Sequence, residues 1–140
     1  MLHLSPEKIN EIAEEIDSGC RCYINSSTGN FISIPKDYDL DDTGAWDNDI
    51  KEIERNANKY FEIEPMSSKD TFNIMELFID SIESGSKIKF ELIDAIRRPK
   101  PFRHFRSIID ASGTIRENWF DFKKMKLIEH VKRRLEMETP

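Results

Sequence analysis

Glycine is scarce in this 140-residue chain. There are five, Gly19, Gly29, Gly44, Gly85 and Gly113, and each stands alone. No G-x-x-x-x-G-K-[ST] or G-x-G-x-x-G run occurs, so neither phosphate-cradling loop is encoded. Cysteine is scarcer still, with only Cys20 and Cys22. A tetrahedral zinc site takes four ligands, and no second cysteine pair completes one. A bridge between positions two apart would be strained. Alternate residues of a strand share a face, so we expect two reduced thiols on one side. The three histidines, His3, His104 and His130, are scattered, and no G-x-S-x-G elbow accompanies them. No apolar run approaches the roughly 20 residues that span a bilayer. The opening, MLHLSPEKINEIAEEID, is acidic and periodic rather than signal-like. These absences predict a cytoplasmic protein with no cofactor, no bound metal and no membrane contact.

Aromatic residues and charge are plentiful. Nine Phe, three Tyr and two Trp supply apolar surface that a disordered chain lacks. The length fits one domain over 1–140. Ser5-Pro6 opens a first helix, because serine caps free amides and proline has no amide hydrogen to orphan. Ile9, Ile12, Ala13 and Ile16 recur at helical spacing, and Gly19 stops the run. CRCYIN and NFISIP, separated by SSTG, predict an antiparallel hairpin over 20–35, with Pro35 at an edge or an end. A short helix is expected over DIKEIERNANK, with Ile50, Ile53 and Ala57 on one side. YFEIEP is expected to form a third strand.

From residue 67 the pattern turns helical. Ser67 or Ser68 caps a helix with Phe72, Met75, Phe78, Ile79 and Ile82 on its apolar face. Ser86 caps another, carrying Ile88, Leu92, Ala95 and Ile96. Pro99 must break it, since a residue before proline leaves the helical region. Pro101 opens the next, in which Phe102, Phe105, Ile108 and Ile109 share a face. Thr114 and Glu117 have the spacing of a capping box for a last helix. There Phe120, Leu127, Val131 and Leu135 form one stripe, and Ile115, Trp119 and Phe122 point the other way. The predicted class is α+β: a small antiparallel sheet, hairpin plus third strand, packed with helices, and a helical C-terminal half.

Few patterns carry chemistry. DLDDTGAWD places Asp39, Asp41 and Thr43 at the first, third and fifth positions of a calcium loop, with Gly44 at the sixth. The twelfth position, which needs a bidentate glutamate, is Ile50, so a solvated acidic loop is expected. Pairs such as Glu14-Glu15 and Asp41-Asp42 carry no information in a chain with 27 acidic residues. Charge is unevenly spread: residues 1–86 hold 7 Lys/Arg against 19 Asp/Glu, and residues 87–140 hold 14 against 8. A basic half either faces phosphate or pairs with the acidic half. Arginine and aromatic side chains are enriched at protein interfaces. The residues expected to make a binding surface are Arg97, Arg98, Arg103, His104, Arg106 and Trp119.

Two segments in order, Phe102 to Phe105 and Trp119 to Phe122, follow a Thr28-Gly29 turn, a Met75 to Ile79 helix and a helix ending near Ala95. Together they resemble a family of uncharacterised bacterial proteins, family 0158, whose function is unassigned. The resemblance implies that RRPKPFRHFR is an integral helix-break-helix with Phe102 and Phe105 buried. The reading carried forward is a non-catalytic module binding a macromolecular partner, most simply a protein. A nucleic-acid-associated regulator using the basic half is the alternative. A hydrolase or transferase with a site near Arg103 and His104 comes third.

Overall fold

The structure is a computed structural model that describes residues 3–40 and 43–138. It is α+β, with a three-stranded antiparallel sheet and a helical C-terminal half. Two compact units are present: Met1–Met66 with Leu127–Pro140, and Ser67–Lys126. No helix among the described residues is long and apolar enough to cross a membrane.

In the first unit α1 spans Pro6–Asp17. The Ser5 side chain accepts from the Lys8 amide at 3.1 Å, and Gly19 takes φ +91° just beyond the end. Ile9, Ile12, Ala13 and Ile16 are its buried residues, as the spacing predicts. Each isoleucine so buried stabilises the fold by about 1.5–3 kcal/mol. β1 (Cys20–Asn25) lies between β2 (Phe31–Pro35) and β3 (Tyr60–Ile63). Cys20 pairs with Pro35 and Ile24 with Phe31, which is the expected hairpin. Pro35 ends an edge strand, where a missing amide costs no ladder bond. Cys22 and Ile24 point to one face, and Ile63 pairs with Cys22 across the ladder. They meet Ile12, Ile16, Leu127, Val131 and Leu135 in one core. The opposite face carries Tyr23, which donates to Glu62 at 3.2 Å, and Arg21, 3.6 Å from the same carboxylate.

The free edge of β3 is closed by side chains of the last helix, α6 (Thr114–Glu138). Arg134 donates to the Glu62 carbonyl, and His130 Nε2 to the Glu64 carbonyl at 3.0 Å. Four helical residues rise about 6 Å and two strand residues about 6.6 Å, so an i, i+4 pair matches two outward carbonyls of one strand edge. This satisfies groups that an open edge would offer to another chain. The connection from β2 to β3 contains α2 (Asp47–Arg55), which is shifted from the expected DIKEIERNANK. Asn56 ends it, and Ala57 begins a 3₁₀ turn and is exposed, so Ala57 is not on the apolar side. Asp41 and Asp42 lie outside the described residues, so the calcium-loop and acidic-pair readings of that stretch fall largely outside them.

The second unit holds α3 (Ser68–Asp80), α4 (Lys87–Arg97), α5 (Pro101–Asp110) and the first half of α6. Ser67 caps α3, accepting from the Asp70 amide at 3.1 Å. Between α4 and α5, Arg98 is extended, as its proline neighbour demands, and Lys100 takes φ 58° between two prolines. Trp119 is the centre of the core. Phe105 and Phe78 meet its ring edge-on, with centroids at 4.8 and 5.3 Å. Ile74, Met75, Ile79, Leu92, Ala95 and Ile109 complete the core.

Three expectations are corrected. Phe102 is 40% exposed, with the Phe72 ring edge-on to it at 6.4 Å between centroids, because it lies in the first turn of α5, where packing has barely begun. Thr114 is the first residue of α6 rather than its cap; the Ile115 and Arg116 amides donate to the Ser112 and Gly113 carbonyls instead. Phe120 is not core with Leu127, Val131 and Leu135. It is half-buried, with Arg106 and Arg116 over its ring at 4.9 and 4.7 Å.

Candidate functional site

The residues expected to bind are dispersed. Arg97 and Arg98 end α4, and Arg98 pairs with Asp94 at 2.9 Å. Arg97 lines a cavity of about 300 Å³ between α3 and α4, with Phe72, Glu76, Asp80 and Ile93. Arg103 and Arg106 lie one turn apart on α5. Arg106 pairs with Asp110 at 2.9 Å, and Arg116 approaches the same carboxylate oxygen at 3.4 Å. His104 is half-buried on α5. Trp119, expected to face a partner, is 3% exposed and belongs to the core. The basic stretch is therefore partly neutralised by its own aspartates, Asp94 and Asp110. Among the described residues Arg97, Lys100 and Arg103 have no ion-pair partner.

A different feature of the second unit was not foreseen. Two hollows, of about 490 and 480 Å³, share Ile88 and Ile115. One is lined by Glu91, Ser107, Ile108 and Ser112; the other by Ile82, Glu83, Ser86 and Phe122. They lie where the end of α3, the start of α4, the end of α5 and the start of α6 come together. Ile82, Ile88, Ile108, Ile115 and Phe122 are all half-buried. The sequence assigned each of them to an apolar face, and hydrophobic spacing alone does not separate a core residue from a groove wall.

Three hydroxyls of this groove are already engaged, while the Ser107 and Asn118 side chains that also line it make no hydrogen bond among the described residues. The Ser86 hydroxyl donates to the Glu83 carbonyl at 2.9 Å, and that of Ser81 to Phe78 at 2.5 Å. The Ser112 hydroxyl donates to the Ile108 carbonyl. These serines finish helix ends. None is held by a histidine in the way a nucleophile requires. The charged lining residues are the carboxylates Glu83 and Glu91, and Lys89 donates to the Ile82 carbonyl beside Glu83 at 3.1 Å. Glu91 has Lys87 at 3.9 Å, and the Lys126 ammonium lies 5.5 Å over the Phe122 ring. An apolar floor with acidic walls can seat a side chain.

In the first unit, Cys22 is wholly buried, and its thiol is pushed from the ordinary 9.0 up to about 12. Burial is the main cause, with the Glu15 carboxylate adding to it. A thiol held neutral is a poor nucleophile. Tyr23 is also raised, first by burial and then by Glu62. Among the described residues no group of three or more His, Cys, Asp or Glu converges on a metal-sized site.

The arrangement of helix breaks and aromatic pairs now meets its match among known families. The model of the uncharacterised protein family UPF0158 covers residues 2–139. The chain belongs to that family. Its membership agrees with the resemblance carried by the Phe102–Phe105 and Trp119–Phe122 segments. No curated protein and no solved structure matches it.

Proposed function

We propose that this member of UPF0158 is a non-catalytic, cytoplasmic module that binds a protein partner through the isoleucine groove of its second unit. The observation that supports this reading is the lining of the joined hollows. They are mostly apolar, the Ser81, Ser86 and Ser112 hydroxyls are spent on helix ends, and their charged lining residues are Glu83 and Glu91. Such a surface repels phosphate and accepts apolar side chains. A cytoplasmic setting fits the two free thiols, Cys20 and Cys22. The nucleic-acid alternative draws on Arg97, Lys100 and Arg103, which lack ion-pair partners among the described residues. Phosphate contacts by these cations would make affinity fall steeply with salt.

Affinity purification from native cells, with the wild-type chain and Ile115→Lys side by side, separates the two. The expected result is a stoichiometric protein held by the wild type and lost with Ile115→Lys, and no nucleic acid above background. Stoichiometric RNA or DNA retained by both chains would replace this reading with the alternative.

A further inference from the structure

We infer that the hollow between α3 and α4 is a binding site for a free basic α-amino acid, lysine or arginine. It is separate from the isoleucine groove, and it does not depend on the protein-binding reading. The hollow encloses about 300 Å³, within the range of small-molecule sites. Its floor is apolar: Ile79 is buried, and Phe72, Ile93 and Ile96 are half-buried. Its rim carries Glu76 and Asp80 from α3 and Arg97 from α4. None of these three side chains makes an ion pair or a hydrogen bond among the described residues. The other cations of α4 are committed elsewhere. Lys87 pairs with Glu91 at 3.9 Å, Lys89 donates to the Ile82 carbonyl at 3.1 Å, and Arg98 takes Asp94 at 2.9 Å. Lys69 and Lys100 lie outside the lining. Two anions and one cation therefore border one apolar hollow without neutralising each other.

The signs select the occupant. The lining sums to one net negative charge, with an anion-seeking guanidinium among its groups. A diamine would set a second cation against Arg97. A dicarboxylate would meet Glu76 and Asp80. An apolar amino acid would leave one of these carboxylates unmet. A basic amino acid has one net positive charge and a group for each wall. The order of the walls also agrees. The short connection over residues 81–86 folds α4 back along α3, so Asp80 lies at the turn end and Arg97 toward Phe72, with Glu76 between them. The ligand's carboxylate then meets the Arg97 fork, its α-ammonium meets Glu76, and its side-chain cation meets Asp80. Residues four apart on a helix stand about 6 Å apart. An extended lysine holds its two nitrogens about 7 Å apart. The methylene stem between them covers Ile79 and Ile93, as such stems do on apolar surface.

Chemical-shift titration of the full chain, labelled with nitrogen-15, tests this at fixed pH and ionic strength. The probes are L-lysine and L-arginine, beside cadaverine (no carboxylate), L-norleucine (no side-chain cation) and Nα-acetyl-lysine (no α-ammonium). The expected result is saturable shifts of amides over residues 72–80 and 93–97 with lysine or arginine. Their dissociation constant should be on the order of 1 mM, reasonable for about ten non-hydrogen atoms in a half-open site. Each probe that lacks a group should bind about fivefold more weakly, the loss of one exposed charge contact. Arg97→Gln should erase the advantage of lysine over cadaverine, and Asp80→Asn its advantage over norleucine. Both side chains are exposed, so the variants keep the fold, and their spectra report it. No saturable shift with lysine or arginine, equal binding of every probe, or affinities indifferent to both variants would overturn the inference. Nα-acetyl-lysine binding as tightly as lysine would also overturn it, and would make the hollow a site for the basic C-terminus of a peptide.

Discussion

The two units differ in what they leave open. In the first, the sheet's β3 edge is closed by His130 and Arg134, and its cysteine in the core is wholly buried. Both units expose large apolar side chains, Leu40 (81%) and Met137 (71%) in the first and Phe90 (65%) and Leu77 (49%) in the second, but the second also has the half-buried isoleucine groove. Scattered exposed side chains need no special reason, whereas contiguous apolar walls mark a contact site. The first unit uses charged and polar side chains to finish a structure. The second uses them to pin arginines beside aspartates and leaves apolar walls uncovered. Those uncovered walls are the physical basis of the functional proposal.

The largest test of that difference is a pair of phenylalanines on one helix. Phe105 is 2% exposed and packs on Trp119 at 4.8 Å; Phe102 is 40% exposed. Phe105→Ala should cost about 3–5 kcal/mol, the usual range for a buried phenylalanine. Phe102→Ala should cost about 1 kcal/mol or less. Urea melts followed by far-ultraviolet circular dichroism check both, with Trp119 fluorescence as a local reporter. Equal losses would place Phe102 in the core after all and erase the distinction between a closed and an open part of α5.

The same two residues show where sequence reading stops. Hydrophobic spacing puts Phe102 and Phe105 on one face, as it puts Ile9 and Ile12 on one face of α1. In α1 the pattern is right at all four positions, because Ser5, Pro6 and Gly19 fix both ends of the helix and the whole face meets the sheet. In α5 the pattern cannot know that its first turn lies beyond the packed layer. The groove was illegible for the same reason: Ile88 and Ile115 carry the spacing of core residues and become walls only when helix ends meet. The strand-edge clasp was illegible because its partners are 66 and 72 positions apart. What local signals do specify, the antiparallel hairpin and the break at Pro99, was readable outright.

A smaller effect is expected in the closed unit. Burial pushes the Cys22 thiol up to about 12 from its ordinary 9.0. Above pH 9 the unfolded chain therefore loses this proton while the folded chain keeps it. The unfolded state binds fewer protons in that window, so stability falls as pH rises from about 9 to 12, by at most roughly 1.4 kcal/mol per pH unit from this group. Below pH 9 both states hold the proton, and the contribution of burial is fully present. Cys22→Ala should flatten the slope relative to wild type in urea melts at pH 8, 9 and 10. An unchanged slope would mean that the thiol ionises in the folded chain and that the first unit is less tightly closed than its core implies.

The smallest effects compare arginines across the units. Arg134 donates to the Glu62 carbonyl, and its guanidinium lies 6.0 Å over the Phe61 ring. A charged donor to a part-buried carbonyl is worth about 1.5–3 kcal/mol, less where water competes. Arg134→Met keeps much of the apolar stem and removes the donor, so about 1–2 kcal/mol should be lost. Arg103 has no ion-pair partner among the described residues, and Arg106 has only the half-exposed Asp110 and the Phe120 ring. Arg103→Ala should shift stability by less than about 0.5 kcal/mol, and Arg106→Ala by about 1 kcal/mol or less. High salt should shrink the Arg106 effect, since exposed pairs are screened, and leave most of the Arg134 effect, since a part-buried donor is shielded from ions. Thermal melts of the three variants at low and high salt check this ordering. If Arg106→Ala proved the costliest and salt did not reduce it, the Arg106–Asp110–Arg116 cluster would be a structural closure like the strand clasp, and the open surface of the second unit would narrow to its groove.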